Sequence, residues 1–332
     1  MQRASIALAI LGCLAFDPPL VGEDVPITDE QISAQEWTAP GTVIFRDDGA
    51  SKGALNVTSS AGGNIIAATV IGTGEVLTIE FENEPSVETA ITDGESTVYA
   101  HIYAVNNVAN QSAVGINLAE DVNLNIDRNT GHTPVLVAHS AVTGTGGNSS
   151  AIAVQTLNTN SVGISNPAYL TAFASSNKCS ASAVIEAAPT NNTSSTNILN
   201  VQFDDNNILR SSSSVSSSSV SSSSSYLYSA SVVMGSAVGY GTDSMNVSGL
   251  EATLGNHNTL TSLSSSDSAK TIVKQASPSV STVVGAAVGH GTGDVNVSNL
   301  SAQLKDNNNL TSLSSSDSSS SSAVVGTAVV YG

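Results

Sequence analysis

Aromatic rings are scarce in this sequence: one Trp, seven Tyr and five Phe in 332 residues. Large globular cores draw much of their buried area from rings. A chain that is 40 % apolar with so few of them must bury Ala, Val, Ile and Leu in thin layers. Basic residues are as few, nine Lys and Arg against 27 Asp and Glu, for a formal charge of −18. That balance argues against nucleic acid, whose phosphates demand a basic footprint. It argues equally against electrostatic docking to anionic lipid. The acidity is concentrated in "EVLTIEFENEPSVETAITDGE", Glu75 to Glu95, and the second half is nearly uncharged. Cysteine is rarer still, with only Cys13 and Cys179.

The N-terminus carries an apolar run, "ASIALAILGCLAF" from Ala4 to Phe16, behind Arg3 and ended by "DPP". It is too short to span a bilayer and has the proportions of a secretory signal. Cys13 and Ala15 form a small-x-small site with cleavage after Ala15, so residues 1–15 read as a signal peptide. A second reading takes "ILGC" as a lipobox that makes Cys13 a lipid anchor. With cleavage after Ala15, Cys179 stands alone, and a secreted chain of this size has no internal disulfide. In "SSNKCSASAVIEA", Cys179 reads as a small buried hydrophobe. Stability then has to come from repeated backbone pairing and layered packing.

What the sequence does have is a repeat. "GSAVGYGTDSMNVSGLEATLGNHNTLTSLSSSDS", from Gly235, overlays "GAAVGHGTGDVNVSNLSAQLKDNNNLTSLSSSDS", from Gly285. The offset is about 50 residues and about two-thirds of the positions are identical. "LNVQFDDNNIL", Leu199 to Leu209, joins the same alignment. It groups Leu199 with Leu250 and Leu300, and Phe203 with Leu254 and Leu304. It also groups Asn207 with Asn258 and Asn308, and Leu209 with Leu260 and Leu310. A fainter copy at Ala151 to Val162 keeps Val154, Gln155 and Asn160 in step, and "VYAHIYAV" (Val98 to Val105) and "VLVAHSAV" (Val135 to Val142) open two earlier units. Within a unit the apolar residues alternate, as in Val295, Val297, Leu300, Ala302 and Leu304, which is the pattern of strands.

Short strands broken by Gly, Asn and Ser and repeated end to end predict an all-β chain folded as a parallel β-solenoid, or β-helix, of irregular repeats. Equivalent residues then stack in ladders about 4.8 Å apart. The solenoid is expected over 98–332, behind an acidic N-terminal cap region at 16–97. One helix is expected in "TDEQISAQEW", where Thr28 and Gln31 fit a capping box. "LTSL" of Leu260–Leu263 and Leu310–Leu313 belongs to the wall, with aliphatic ladders filling a narrow interior where rings do not fit easily. The serine tracts at 211–225 and 318–322 are expected to leave the wall as loops, since lengthening a surface loop is tolerated. The last residues, "GTAVVYG", begin another copy, so the chain reads as truncated at its C-terminus.

These residues resemble the passenger regions of bacterial autotransporter adhesins, most of all the polymorphic membrane proteins of chlamydia-type bacteria. The carriers of the likeness are the FxxN match "FDDN" (Phe203 to Asn206), its Leu variants "LNTN" (Leu157 to Asn160) and "LKDN" (Leu304 to Asn307), and "GGNI" (Gly62 to Ile65) beside the family's GGA[ILV] motif. The family's cysteines and C-terminal membrane barrel are missing here. The resemblance implies an exported cell-surface adhesive protein of the outer membrane. Its partner would be a host cell or matrix surface, or another copy joined end to end, and its own membrane link either a lipid at Cys13 or a C-terminal domain beyond this sequence.

Catalysis finds no focus. Glycoside hydrolysis needs two carboxylates across one cleft, and the nearest pair, Asp204 and Asp205, are neighbours whose side chains diverge in a strand. Asp205 aligns with Asn256 and Asp306, which makes it a corner residue of the repeat. Trp37 is the only tryptophan available as a sugar platform, and Lys178, Arg210, Lys270, Lys274 and Lys305 are scattered. His101, His132, His139, His257 and His290 include no pair at ligand spacing, so no metal and no cofactor are expected. "GHGTGD" (Gly289 to Asp294) has its glycines out of phase with a calcium nonapeptide. A polysaccharide-acting β-helix enzyme stays as the alternative to an adhesin. An ice-binding solenoid is a further one, with Thr261 and Thr311 in step but no regular Thr face.

Overall fold

The computed structural model describes residues 24–46, 53–60, 63–82, 90–92, 97–106, 111–128, 135–143, 148–156, 160–164, 168–176, 179–186, 199–217, 227–241, 245–268, 279–291, 295–316 and 320–329. The expected signal segment with Cys13 lies outside them. Within them the structure is built of strands. The chain passes in fixed rotation through three parallel sheets, which we call A, B and C. One turn reads Leu199–Phe203 in A, Ile208–Ser217 in B and Tyr228–Gly241 in C. Each strand pairs in parallel with its counterpart one turn later, as Leu199 with Leu250, Leu209 with Leu260 and Ala230 with Val280. Eight turns are stacked in this way among the described residues, and the fold is a parallel β-solenoid.

The rotation begins before Val98. Asp24–Ile27, Glu30–Gln31 and Gln35–Thr38 already occupy sheets A, B and C, and Gly41–Arg46, Ala54–Ser59 and Ile65–Ile71 form the next turn. The acidic N-terminal region therefore contributes turns of its own. The helix expected at Thr28 is replaced by two strands. Ten residues from Thr28 to Trp37 are too few to stabilise an isolated helix, whereas Gln35–Thr38 gains a complete partner in Ala68–Ile71 and buries Trp37. The faint copy at Ala151 to Val162 is also out of step. Val154 lies in sheet C between Ile116 and Ile185, and Asn160 pairs with Leu199. The true counterparts of Val201 and Phe203 are Val162 and Ile164. "LNTN" is consequently not equivalent to "FDDN", and its first three residues lie outside the described ones.

The interior has two characters. Sheet A lines it with large side chains, in columns such as Val43–Ile79–Ile126–Ile164–Phe203–Leu254 and Leu77–Leu124–Val162–Val201–Ala252, all buried. Rings are accommodated here, although the sequence suggested that they would not fit easily. Phe45 stacks on Phe81 at 5.3 Å between centroids and meets Trp37 edge-on at 6.4 Å. Ring pairs at these distances contribute about 0.5–1.5 kcal/mol beyond the area they bury. Leu254 is fully buried beneath Leu304, while Leu304 in the last described strand of sheet A is 49 % exposed. Leu300 and Leu310 of the same turn are half-buried against the core.

Sheets B and C face each other more closely, and there the interior turns to serine. One column of sheet B runs Val57, Ala104, Ser140, Ala172, Ser211, Ser262, Ser312. Ser211 is fully buried, as are Ser262, Ser229, Ser231 and Ser281. This overturns the expectation that the serine tracts leave the wall. Ser211–Ser217 continues the strand that starts at Ile208, and Ser320–Ser322 starts the strand Ser320–Val329; residues 218–225 and 318–319 lie outside the described ones. A buried hydroxyl is tolerated only with a partner, and each sheet supplies it to the other. Ser182 Oγ lies 2.8 Å from Ser211 Oγ and donates to Ser231 Oγ at 3.4 Å, and Ser262 Oγ donates to Ser231 Oγ at 3.0 Å. Ser180 meets Ser213 at 2.7 Å, Ser281 meets Ser312 at 2.8 Å, and Ser264 pairs with Ser279. The spacing of Leu260 and Leu263 puts them on opposite faces. Leu260 is buried, Leu263 looks outward, and its counterpart Leu313 is 59 % exposed.

Candidate functional site

The corner between sheets A and B is the most regular feature. Three consecutive turns meet there at Asp204–Asn207, Gly255–Asn258 and Lys305–Asn308. The third residue of each, Asn206, His257 and Asn307, has φ near +60°. Asn accepts this left-handed conformation more readily than other side chains. The fourth residue locks the stack. Asn207 N–H donates to Asn258 Oδ1 at 2.8 Å, and Asn258 N–H donates to Asn308 Oδ1 at 2.8 Å. Their backbones continue the ladder, with Thr259 N–H donating to Asn207 O and Asn309 N–H to Asn258 O, both at 2.8 Å. Asn207 and Asn258 are fully buried. Asn258 Nδ2 has no acceptor, and Gly255 O receives Asn308 Nδ2 at 2.8 Å.

Asp204 and Asp205 lie in this corner, not across a cleft. Asp205 Oδ1 accepts from Asn256 N–H at 2.6 Å and from Asn256 Nδ2 at 3.2 Å. The backbone bond from Asn256, then its side chain, hold the Asp205 carboxyl below its ordinary value. Asn256 Oδ1 in turn accepts from Asp306 N–H at 3.1 Å. The carboxylate thus closes a corner and is not poised for proton transfer. Trp37 is 3 % exposed inside the core and offers no platform to a sugar. His257 approaches Asn307 Nδ2 at 3.3 Å, and the other four histidine side chains lie outside the described ones. No group of three His, Cys, Asp or Glu is placed to hold a metal among the described residues. Cys179 is buried and takes part in no disulfide.

What remains accessible is the outer surface of the walls. Sheet A presents the column Thr42, Thr78, Asn125, Gly163, Gln202, Thr253, Gln303. Sheet B presents Arg210, Thr261, Thr311, in one column with the buried Thr171, beside Phe173, Ser212, Leu263, Leu313. The outer side of sheet C is covered late in the chain. There the long strands Tyr228–Gly241 and Ser279–Gly291 bend at Gly235 (φ 131°) and Gly285 (φ 133°). Ala237, Ala287 and Ala328 pack with Ala183, Ala230, Val232 and Val280 in a second apolar cluster. The glycines are required at the bend: a Cβ on Gly235 would stand 1.8 Å from Gly285 O.

The connections between sheets B and C, by contrast, differ from turn to turn. Only residues 177–178 separate Ala168–Ser176 from Cys179–Glu186, whereas residues 218–227 separate Ile208–Ser217 from Tyr228–Gly241. Sequence reasoning missed two things in this surface and wall: the inward serines and the buried Glu186. For the serines the sequence carries no signal of direction; their inward face follows from the pairing of Ser211 and Ser213 with the buried Ala172 and Ala174. For Glu186 the only signal is a lone acid ending the apolar stretch "SAVIE". No family model, curated protein or solved structure matches this chain.

Proposed function

We propose that this is an exported cell-surface protein that works as a structural and adhesive scaffold rather than as an enzyme. The observation that carries the reading is the contrast between constant walls and variable corners. Stacked turns add length one repeat at a time, each contacting only its neighbours, while connections such as 218–227 and 269–278 change without disturbing the wall. Contact with a partner is spread over corners and flat polar faces, so no single residue is indispensable. The signal-like residues 1–15 and the acidic surface favour display outside the cell.

The test is to display the chain on an inert cell and score attachment to host cells or matrix, beside forms shortened at 218–226 and at 269–278. Attachment that weakens with each shortening and fails only when both are made supports the reading. No attachment in any setting, together with release of reducing ends or unsaturated sugar from a polysaccharide panel, overturns it in favour of an enzyme.

A further inference from the structure

Asn117, Gln155 and Glu186 form one column across three consecutive turns of sheet C. Asn117 pairs with Gln155, and Gln155 with Glu186. Their neighbours Ile116, Leu118, Val154 and Ile185 are core residues, so by alternation the three polar side chains lie on the outer side of the sheet. Asn117 and Glu186 are nevertheless enclosed, 8 % and 5 % exposed, with Gln155 half-buried between them. Above Glu186 the column continues as Gly235 and Gly285, which offer no side chain. Below Asn117 it continues as Thr69 and Glu36.

The polar contacts in this column are incomplete. Gln155 Nε2 donates to Glu186 Oε2 at 3.3 Å, while Asn117 Oδ1 has no donor. An ionised Glu186 only accepts, and therefore holds the Gln155 amide with its NH2 toward itself. A protonated Glu186 can donate to Gln155 Oε1 instead. The amide then turns over, an exchange of nearly isosteric atoms, and its NH2 faces the turn on which the Asn117 acceptor stands without a partner.

We propose that Asn117, Gln155 and Glu186 are a proton-dependent hydrogen-bond ladder, closed across three turns when Glu186 is protonated and opened at Asn117 when it ionises. Among the described residues no charged side chain on the flanking strands Asn148–Thr156 and Tyr228–Gly241 competes for that proton, and Gln111–Leu118 carries none. Arg210, on the strand packed across the interior, belongs to the outward column of sheet B with Thr171 and Thr261. Glu36 lies four turns from Glu186, about 19 Å at the usual strand spacing, beyond the ~8–10 Å screening length of physiological salt. Burial pushes the Glu186 carboxyl up to about 8 against the opposing bond from Gln155, which places the change near neutral pH.

The ladder is tested on the full chain by two readouts. Infrared spectra at about pH 6 should contain the carbonyl band of a buried protonated carboxylic acid, lost by about pH 10 and absent in Glu186→Gln. In denaturant titrations Asn117→Ala should lower the folding equilibrium constant about tenfold at the acidic end, the effect of one lost hydrogen bond, and less than twofold at the basic end. Wild-type chain without the band at about pH 6, a band that survives in Glu186→Gln, or an equal effect of Asn117→Ala at both ends overturns the proposal. Where Asn117→Ala does not fold, the pair of spectra decides alone.

Discussion

Two carboxyls show how one chemical group takes opposite roles according to its surroundings. Glu186 is raised by burial, so the folded state holds a proton that the unfolded chain has already released. Its contribution to stability is full below the ordinary value of 4.5, falls as pH rises and is gone above about 8. Denaturation midpoints of the wild type should fall across that window, and those of Glu186→Gln should stay level, a difference of a few kcal/mol on the order of 1.4 kcal/mol per unit. Asp205 runs the other way. Its carboxyl is lowered by the bonds from Asn256, so its stabilisation is present at neutral pH and lost on acidification through its folded value. Asp205→Ala should therefore narrow the gap between neutral and acid stability. Asn258→Ala removes the acceptor of the buried Asn207 N–H and should destabilise by about 1–3 kcal/mol, read from the same midpoints. That these asparagines form one line was legible, because their spacing repeats. The state of Glu186 was not, since nothing local to "SAVIE" records what the next turn places over it.

At the scale of the strand, the serine walls and the glycine bends make separable predictions. Ser182 and Ser211 satisfy each other across the interior. Ser182→Ala alone should cost about 1–3 kcal/mol by leaving a buried hydroxyl without its partner, and adding Ser211→Ala should cost little more or restore part of the loss. Equal and additive losses would mean that the hydroxyls act separately. At the bends, Gly285→Ala places a Cβ 1.8 Å from Gly326 O, whereas a Cβ on Gly326 meets nothing within 4 Å. Gly326→Ala should thus cost only backbone strain, roughly 1–3 kcal/mol, and Gly285→Ala clearly more, as a thermal unfolding series would record. Strand character in these segments was readable from alternation. The inward direction of "SSSS" was not, because a run of one residue type has no pattern to set which face is which.

At the scale of the molecule, stability is a sum over turns and the contacts between them. The serine-lined half should therefore be ordered to the same degree as the aliphatic half. Amide exchange should find Ser211–Ser217 and Thr259–Ser266 protected alongside Leu199–Phe203; rapid exchange confined to the serine segments would contradict the buried hydroxyl pairs. The sequence by itself determined the repeat, its strands and the ladders of Leu199, Phe203, Asn207 and Leu209, because stacking in register demands the same residue type at the same place in every turn. Only the tertiary structure decided that the acidic N-terminal strands join the same three sheets. There the repeated residues are absent, and backbone hydrogen bonds, which do not depend on a particular side chain, carry the pairing. It alone decided that serine belongs inside. Whether a small hydroxyl faces water or a partner depends on how near the opposite wall stands, and that distance is a property of the whole turn rather than of any segment along it.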